Sequence, residues 1–243
     1  MCYTHLMKNL DEPLDSAKAV CLCLEASADS ASACIVINGE CKSEAINIAR
    51  HGHSETLVGL IEQVIANTNL CAQQIDMIIA GCGPGSFTGL RVCLATAHGY
   101  QLATNANAVG ISALVALALD GLSTPDNNSD LFISYCDSRR NSLFVQVFDS
   151  HLRALSQIED IPMADFNDFL DSWKKSSKNI TLCGDSAGLA ELSIAGVFSH
   201  HAVMTAKLLG NVFTAKSGYL DIYPEYCLPL VPLYVHPAYV TSK

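Results

Sequence analysis

Basic residues are scarce in this chain of 243 residues. Charged side chains make up only 16% of it, and acidic ones outnumber basic ones 24 to 14. Residues 1–120 hold 5 basic and 11 acidic side chains, and residues 121–243 hold 9 and 13, so neither half has the composition of a basic surface. Neutralised phosphates supply most of the affinity of nucleic-acid-binding proteins. Tight, direct binding of DNA or RNA is therefore not expected.

Long apolar runs are also missing, although half of the residues are hydrophobic. No run reaches the roughly 18 uncharged residues that a membrane-spanning helix needs. The N-terminus mixes His5, Lys8 and Asp11 into residues 1–19 without an apolar centre, which is not the pattern of a signal peptide or an anchor. We expect residues 1–19 to be a flexible extension, and we expect no membrane partner.

Eleven cysteines are present, but the spacings of zinc sites and disulfide frameworks are not. The chain has no Cys-x-x-Cys pair, and Cys21, Cys23 and Cys93 lie inside apolar runs. This usage predicts reduced, buried thiols in a cytoplasmic protein. Cys82, inside a glycine-rich segment, is the one candidate for a reactive thiol, although a buried spacer is the favoured interpretation.

The most informative motif is Gly83-Pro-Gly-Ser-Phe-Thr-Gly-Leu-Arg91, which joins an apolar run, Met77-Ile-Ile-Ala80, to a helical pattern. Glycines permit close backbone approach, and amides at the start of a helix suit an anion. The candidate anion or nucleotide loop comprises Gly83, Gly85, Ser86, Thr88 and Gly89. The alternative is a tight turn that only brings helix and sheet together.

Several common active-site motifs are absent. The loop lacks the Gly-Lys-Ser/Thr ending of a P-loop, and its glycines at 83, 85 and 89 are spaced one residue too far apart for the dinucleotide fingerprint. Ser86 lacks the Gly-x-Ser-x-Gly setting of a hydrolase nucleophile. The chain also has no His-Glu-x-x-His, so a metalloprotease is the least favoured interpretation.

The order of predicted elements repeats in the two halves. An apolar strand at 20–24 precedes a hairpin at Asn38-Gly39, a helix from about 54 to 66, a strand at 75–80 and a helix from about 88 to 103. After the turn-rich stretch 121–130, the same order follows again, with strands at 131–136 and 142–148, a helix at 163–176, a strand at 179–183 and helices at 187–194 and 205–216. This duplication predicts an α/β, actin-like fold of two ββαβα lobes with mixed sheets, at residues 20–120 and 121–243.

The segment Gly81-Cys-Gly-Pro-Gly-Ser-Phe-Thr-Gly-Leu-Arg-Val-Cys-Leu-Ala-Thr-Ala-His-Gly99 resembles the signature of the TsaB (YeaZ) family. Other segments that match in the same order are Leu22–Ser27, Arg50-His-Gly-His-Ser54, Asp137-Ser-Arg-Arg140, Gly184-Asp185 and Pro232-Leu-Tyr234. The resemblance covers about residues 20–236.

This resemblance implies a non-catalytic relative of TsaD. In such a system TsaD holds the metal and transfers threonylcarbamoyl from threonylcarbamoyl-AMP to N6 of the adenosine beside the anticodon in ANN-reading tRNAs, and the ATPase TsaE resets the assembly. The chain would be the scaffold subunit that TsaD requires, with no catalytic residue and no cofactor of its own. It would meet tRNA only through the complex. Whether ATP or ADP lies at the partner interface stays open.

Departures from the related enzymes bear on metal binding. TsaD-like enzymes hold their metal with a His-x-x-x-His pair, and the matching positions here are Ile111 and Val115, so the chain is expected to bind no metal. The first strand ends in Glu25-Ala-Ser27, where the family usually has Asp-Thr-Ser. His236 stands where the family commonly has Arg. His53 is predicted to position the helix that follows it, and His200 and His201 to be solvated.

Small residues on the two first-lobe helices predict a partner surface. Gly59, Ala95 and Gly99 would let another helix approach closely, and Leu57, Leu60 and Arg91 would add contacts. We expect a TsaD-like subunit to bind there in the complex, and a second copy of the chain to bind there when it is alone, giving a homodimer. The alternative is that these residues only fill the core of the lobe.

A second functional interpretation is a nucleotide-binding enzyme or small-molecule kinase of the actin-like fold. Glu25 and Asp137, at the ends of the first strands of the two halves, would then lie near metal-bound phosphates. The second half offers only Gly184-Asp185 and Gly188 for its phosphate loop.

Overall fold

The structure is a computed structural model that describes residues 19–28, 30–48, 53–125, 127–177, 179–184, 197–214 and 226–235, with the side chains of 53–55 and 213–214 excluded. Several predicted features lie outside these residues. They are the extension up to residue 18, Arg50, His51, the side chain of His53, a second-lobe helix predicted at 187–194, Asp185, Gly188 and His236.

The first half of the described chain holds five strands and three α-helices. The strands are β1 (Val20–Glu25), β2 (Ala31–Ile37), β3 (Glu40–Asn47), β4 (Met77–Gly83) and β5 (Asn107–Ser112). The helices are α1 (His53–Asn67), α2 (Phe87–Thr104) and α3 (Ala113–Leu122). The predicted hairpin is present, with Asn38 and Gly39 at positive φ between β2 and β3.

The second half of the described chain repeats this pattern. Its strands are β6 (Leu131–Asp137), β7 (Ser142–Asp149), β8 (Glu159–Pro162), β9 (Ile180–Gly184) and β10 (Val197–His201). Its described helices are α4 (Phe166–Lys174), preceded by a 3-10 turn, and α5 (Ala206–Thr214). The predicted lobe boundary after Asp120 falls inside the last turn of α3.

The two sheets have the same topology. The first has the order β3-β2-β1-β4-β5 and the second the order β8-β7-β6-β9-β10. In each, the first three strands are antiparallel neighbours, and the last two continue in parallel from the central strand. The predicted actin-like duplication with mixed sheets is thereby confirmed. Each half contains more elements than the predicted ββαβα. The first half adds β3, β5 and α3, and the second half adds β8 and β10.

The elements stack in five layers. Helices α1 and α2 cover the outer face of the first sheet, and α4 covers the outer face of the second. Between the sheets lie α3 and α5, whose apolar side chains join both inner faces in one continuous core. Nearly every residue of α3 is buried, because it packs on strands from both halves. None of the described helices combines the length and the hydrophobicity that a membrane crossing requires.

Candidate functional site

The glycine loop joins β4 to α2 and packs on the turn that follows β1. Gly83 has a φ of +98°, and the Gly83–Pro84 peptide is cis. Ser86 is the N-cap of α2, because its hydroxyl accepts a bond from the amide of Gly89 at 3.3 Å. The amide of Ser86 in turn donates to the carbonyl of Ser27 at 2.8 Å. The loop is thereby fixed to the first strand.

Three glycines of this region are required by contacts with residues 25–27. A β-carbon on Gly81 would lie 1.8 Å from Oε2 of Glu25, and one on Gly89 would lie 1.8 Å from the carbonyl oxygen of Ala26. At Gly85 the same atom would approach the carbonyl oxygen of Ser27 to 2.6 Å. These contacts support the tight-turn interpretation of the motif. Thr88 is exposed at the mouth of the loop, and anion binding there stays a prediction.

Glu25 is a structural residue of this turn. Its side chain is fully buried, and its Oε1 accepts a bond from the amide of Ser27. Gly81 packs directly on the carboxylate, and the side chain has no surface exposed to solvent. The kinase interpretation requires Glu25 to lie near metal-bound phosphates. Its buried position in the turn does not fit that role.

Cys82 is not a reactive thiol. Its side chain is fully buried, and burial, reinforced by the charge of Glu25, raises its pKa far above the ordinary value for a thiol. Since the thiolate is the nucleophilic form of cysteine, Cys82 acts as the apolar spacer that its sequence context favours.

The positions matched to the metal ligands of TsaD-like enzymes lie in the central core. Ile111 at the end of β5 and Val115 in α3 are both buried among apolar side chains. Across the residues that the structure describes, no group of three or more His, Cys, Asp and Glu side chains is arranged to hold a metal ion.

The second-lobe candidates have structural partners. Asp137 accepts the amide of Arg139 at 2.8 Å in the turn between β6 and β7. Gly184 faces the ring of Tyr135, because an added β-carbon would lie 2.4 Å from a ring carbon. The prediction that His200 is solvated is wrong, since its Nε2 lies 2.7 Å from Oδ2 of Asp120 and both side chains are largely covered. His201 is exposed, as expected.

Part of the surface of α1 and α2 does not pack on the core of the lobe and is exposed to solvent. Gly59 and Gly99 are exposed, and a β-carbon added to either would meet no atom within 4 Å. Ala95 is exposed beside them, and Leu102 is 87% exposed near the end of α2. Val58 on α1 is 44% exposed. We call Val58, Gly59, Arg91, Ala95, Gly99 and Leu102 the outer helical surface.

Two of the residues predicted to contact a partner, Leu57 and Leu60, differ in their exposure to solvent. The prediction that Leu57 contacts a partner is wrong, because its side chain is fully buried in the core of the first lobe. Leu57 lies near the start of α1, on the side of the helix that packs on β2 and β3. The next residue, Val58, is exposed. Leu60 is half-buried and packs partly on the core.

Arg91 forms an exposed cluster with two aromatic residues at the start of α2. Its guanidinium carbon lies 3.7 Å from the centroid of the Phe87 ring, and its Nε donates to the hydroxyl of Tyr234 at 3.2 Å. The two rings are 5.5 Å apart. Sequence reasoning selected Arg91 but missed Phe87, since only the folded chain brings the C-terminal segment against α2.

Comparisons with known proteins agree with the motif. A family model described as TsaD, tRNA N6-adenosine threonylcarbamoyltransferase, matches residues 47–181, which is more than half of the chain. The tRNA threonylcarbamoyladenosine biosynthesis protein TsaB of Haemophilus influenzae is 29% identical over 134 residues, or 55% of this chain and 56% of that protein. TsaB of Bacillus subtilis is 21% identical over 155 residues, or 64% of this chain and 66% of that protein. The chain spans about half the length of the first curated relatives it matches.

Among solved structures, YeaZ from Pseudomonas aeruginosa has the same fold. Its TM-score is 0.68 at 16% sequence identity, and the alignment covers 89% of this chain and 100% of that one. The glycine-loop signature, the family model and the shared fold point to one conclusion. The chain belongs to the TsaD family and, within it, to the TsaB (YeaZ) proteins.

Proposed function

We propose that this chain is the non-catalytic scaffold subunit that a TsaD-like enzyme requires to threonylcarbamoylate N6 of the adenosine next to the anticodon in ANN-reading tRNAs, in the cytoplasm. The observation that carries the proposal is the outer helical surface. It presents two glycines, an alanine and a nearly fully exposed leucine on neighbouring helices. We further propose that a TsaE-like ATPase joins the complex, and that tRNA is bound through the other subunits.

The glycines at 59 and 99 have no explanation within the chain. A glycine inside a helix costs about 1 kcal/mol of stability relative to alanine. Gly81 and Gly89 are needed because backbone or buried side chains lie against them, but Gly59 and Gly99 face open space. A partner whose helix approaches the backbone of α1 and α2 would account for both. Exposed Val58 and Leu102 would bury apolar area in the same contact.

The acidic composition of the chain supports an indirect role toward tRNA. A net charge of −10 disfavours a phosphate backbone at close range. In this proposal the partner supplies the metal and the reactive site. In this chain, the positions that match the partner's metal-binding histidines are the core residues Ile111 and Val115.

Reconstitution tests this function. The assay uses the TsaD-like and TsaE-like proteins from the same source, together with the synthase that makes threonylcarbamoyl-AMP from threonine, bicarbonate and ATP. These proteins are mixed with ATP, threonine, bicarbonate and an ANN-reading tRNA, with and without this chain. Modified adenosine is then measured by mass spectrometry of digested tRNA. We expect modification only when the chain is present. Equal modification in its absence would contradict the proposal.

The isolated chain is expected to be a homodimer through the outer helical surface, because Leu102 would otherwise leave an apolar side chain in water. Light scattering across a concentration series measures this. Leu102→Arg should shift the species toward the monomer. The matched control is Leu155→Arg, which changes a 46% exposed leucine in the second half and should leave the dimer intact. A monomer at high concentration in the unmodified chain would count against the prediction.

A further inference from the structure

Two cysteines meet on the hairpin formed by β2 and β3. The Sγ atoms of Cys34 and Cys41 lie 3.2 Å apart. They are not direct partners in the ladder, since Cys34 pairs with Glu44 and Cys41 with Val36, and the register shifts between Ile35 and Val36. The shift brings the two side chains diagonally together. A disulfide would require the sulfurs to approach by only about 1.2 Å more.

The two thiols differ in their access to solvent. Cys34 is fully buried on the inner face of the first sheet, and Cys41 is exposed at the start of the edge strand β3. Reagents in solution therefore reach Cys41, and Cys34 lies directly behind it. We propose that Cys34 and Cys41 form an oxidation site, at which a hydroperoxide converts the two thiols to a disulfide.

The reaction proceeds in two balanced steps. The sulfur of Cys41 attacks the outer oxygen of the hydroperoxide and loses its proton, which gives a sulfenic acid on Cys41 and releases an alcohol, or water when the oxidant is hydrogen peroxide. The thiolate of Cys34 then attacks the sulfenic sulfur, the S–S bond forms, and hydroxide leaves to take up the proton lost by Cys34 as water. Two thiols are oxidised and one hydroperoxide is reduced.

The ionisation of the two thiols favours the second step and slows the first. A hydrogen bond from Cys23, aided by one from Cys41, lowers the pKa of Cys34, which favours its thiolate. Burial and the bond to Cys34 raise the pKa of Cys41 to about 12. The first step is therefore slow and needs excess peroxide, whereas the second step has a nucleophile already in contact with its target. Cys23 is a positioning residue that stays reduced.

The site lies beneath an element of the other half of the chain. Gly210 of α5 packs on the same face of the sheet, where an added β-carbon would lie 2.9 Å from Val36 and 3.1 Å from the Sγ of Cys23. The disulfide would tie the edge strand β3 to β2 at the border of this packed layer. We expect the oxidised chain to resist unfolding more than the reduced one.

Peptide mapping tests the proposal on the full chain. The purified protein is treated with hydrogen peroxide, alkylated and cut after glutamate, which separates Cys23, Cys34 and Cys41 because Glu25 and Glu40 lie between them. We expect peptides 26–40 and 41–44 to be linked by a disulfide that reductant reverses. Cys41→Ser should lose this pair entirely. Cys71→Ser, which removes another exposed cysteine, should keep it.

A trapping experiment separates the two steps. Dimedone labels sulfenic acids, so it should label Cys41 in the Cys34→Ser variant and leave Cys41 unlabelled in the unmodified chain, where Cys34 consumes the intermediate. Circular dichroism checks that both variants fold. Labelling of Cys41 in the unmodified chain with no linked pair, or a linkage of Cys34 to Cys23, would overturn the proposal.

Discussion

Replacing Gly99 by arginine is expected to abolish co-purification of the chain with a TsaD-like partner while leaving the free chain folded. The arginine side chain would project from the centre of the outer helical surface, where the partner's helix approaches, and we expect the affinity to fall by about 100-fold or more, which is ~2.8 kcal/mol. Within the chain, a β-carbon added at position 99 meets no atom within 4 Å, so the arginine side chain has open space to enter. Arginine is also the better helix former, so urea unfolding should show the free variant stabilised by about 1 kcal/mol.

The opposite signs of these two effects make the experiment decisive. Gly59→Arg on α1 should behave in the same way, because its surroundings are equally open. Asn167→Arg is the matched control, since it places the same side chain on exposed α4 in the second half. Partner binding should survive that change. An intact complex with both glycine variants would remove this surface from the proposed function.

Replacing Gly89 by alanine is expected to destabilise the chain strongly. The added methyl group would lie 1.8 Å from the carbonyl oxygen of Ala26, and a backbone oxygen at the end of a buried strand cannot swing away. Helix α2 would have to move off β1, and the bond between Ser86 and Ser27 would lengthen with it. We expect a loss of about 3 kcal/mol in the free energy of unfolding, measured by urea titration.

Gly99→Ala in the same helix is the control for that measurement. It is the same chemical change, but at a position with open space, so it should stabilise the chain by about 0.5–1 kcal/mol. Equal effects at positions 89 and 99 would contradict the assignment of Gly89 to packing and Gly99 to the outer helical surface.

Much of the fold was predictable because its local signals agree with its tertiary contacts. The Asn38-Gly39 turn, the apolar face of α1 and the glycine loop each determine a local geometry, and the repeated order of elements revealed the duplication. Strands β8 and β10 were missed because they are edge strands with polar sequences, Glu159–Pro162 and Val197–His201. Helix α3 was missed because it is apolar on every side, which leaves no periodicity to detect.

The candidate site was predictable in its location but not in its details. Glycines stand out in a sequence, yet only the structure separates those packed on residues 25–27 from those that face solvent. Leu57 is buried and its neighbour Val58 is exposed because of how α1 is rotated about its own axis. The hydrophobic pattern of the sequence determines that rotation only to within one residue. The contact of Arg91 with Tyr234 joins positions 143 residues apart, and no local rule predicts it.

The layer of α3 and α5 between the sheets has a consequence for motion. Hinged enzymes open and close two bodies around a cleft, and such movement needs an interface that parts without exposing a core. Here Leu114, Leu117 and Leu209 occupy the space between the lobes and belong to one apolar cluster shared by both. Opening would expose them to water. The two lobes are consequently expected to move together as one rigid body. Such a molecule is suited to hold a fixed shape against a partner and not to close around a substrate.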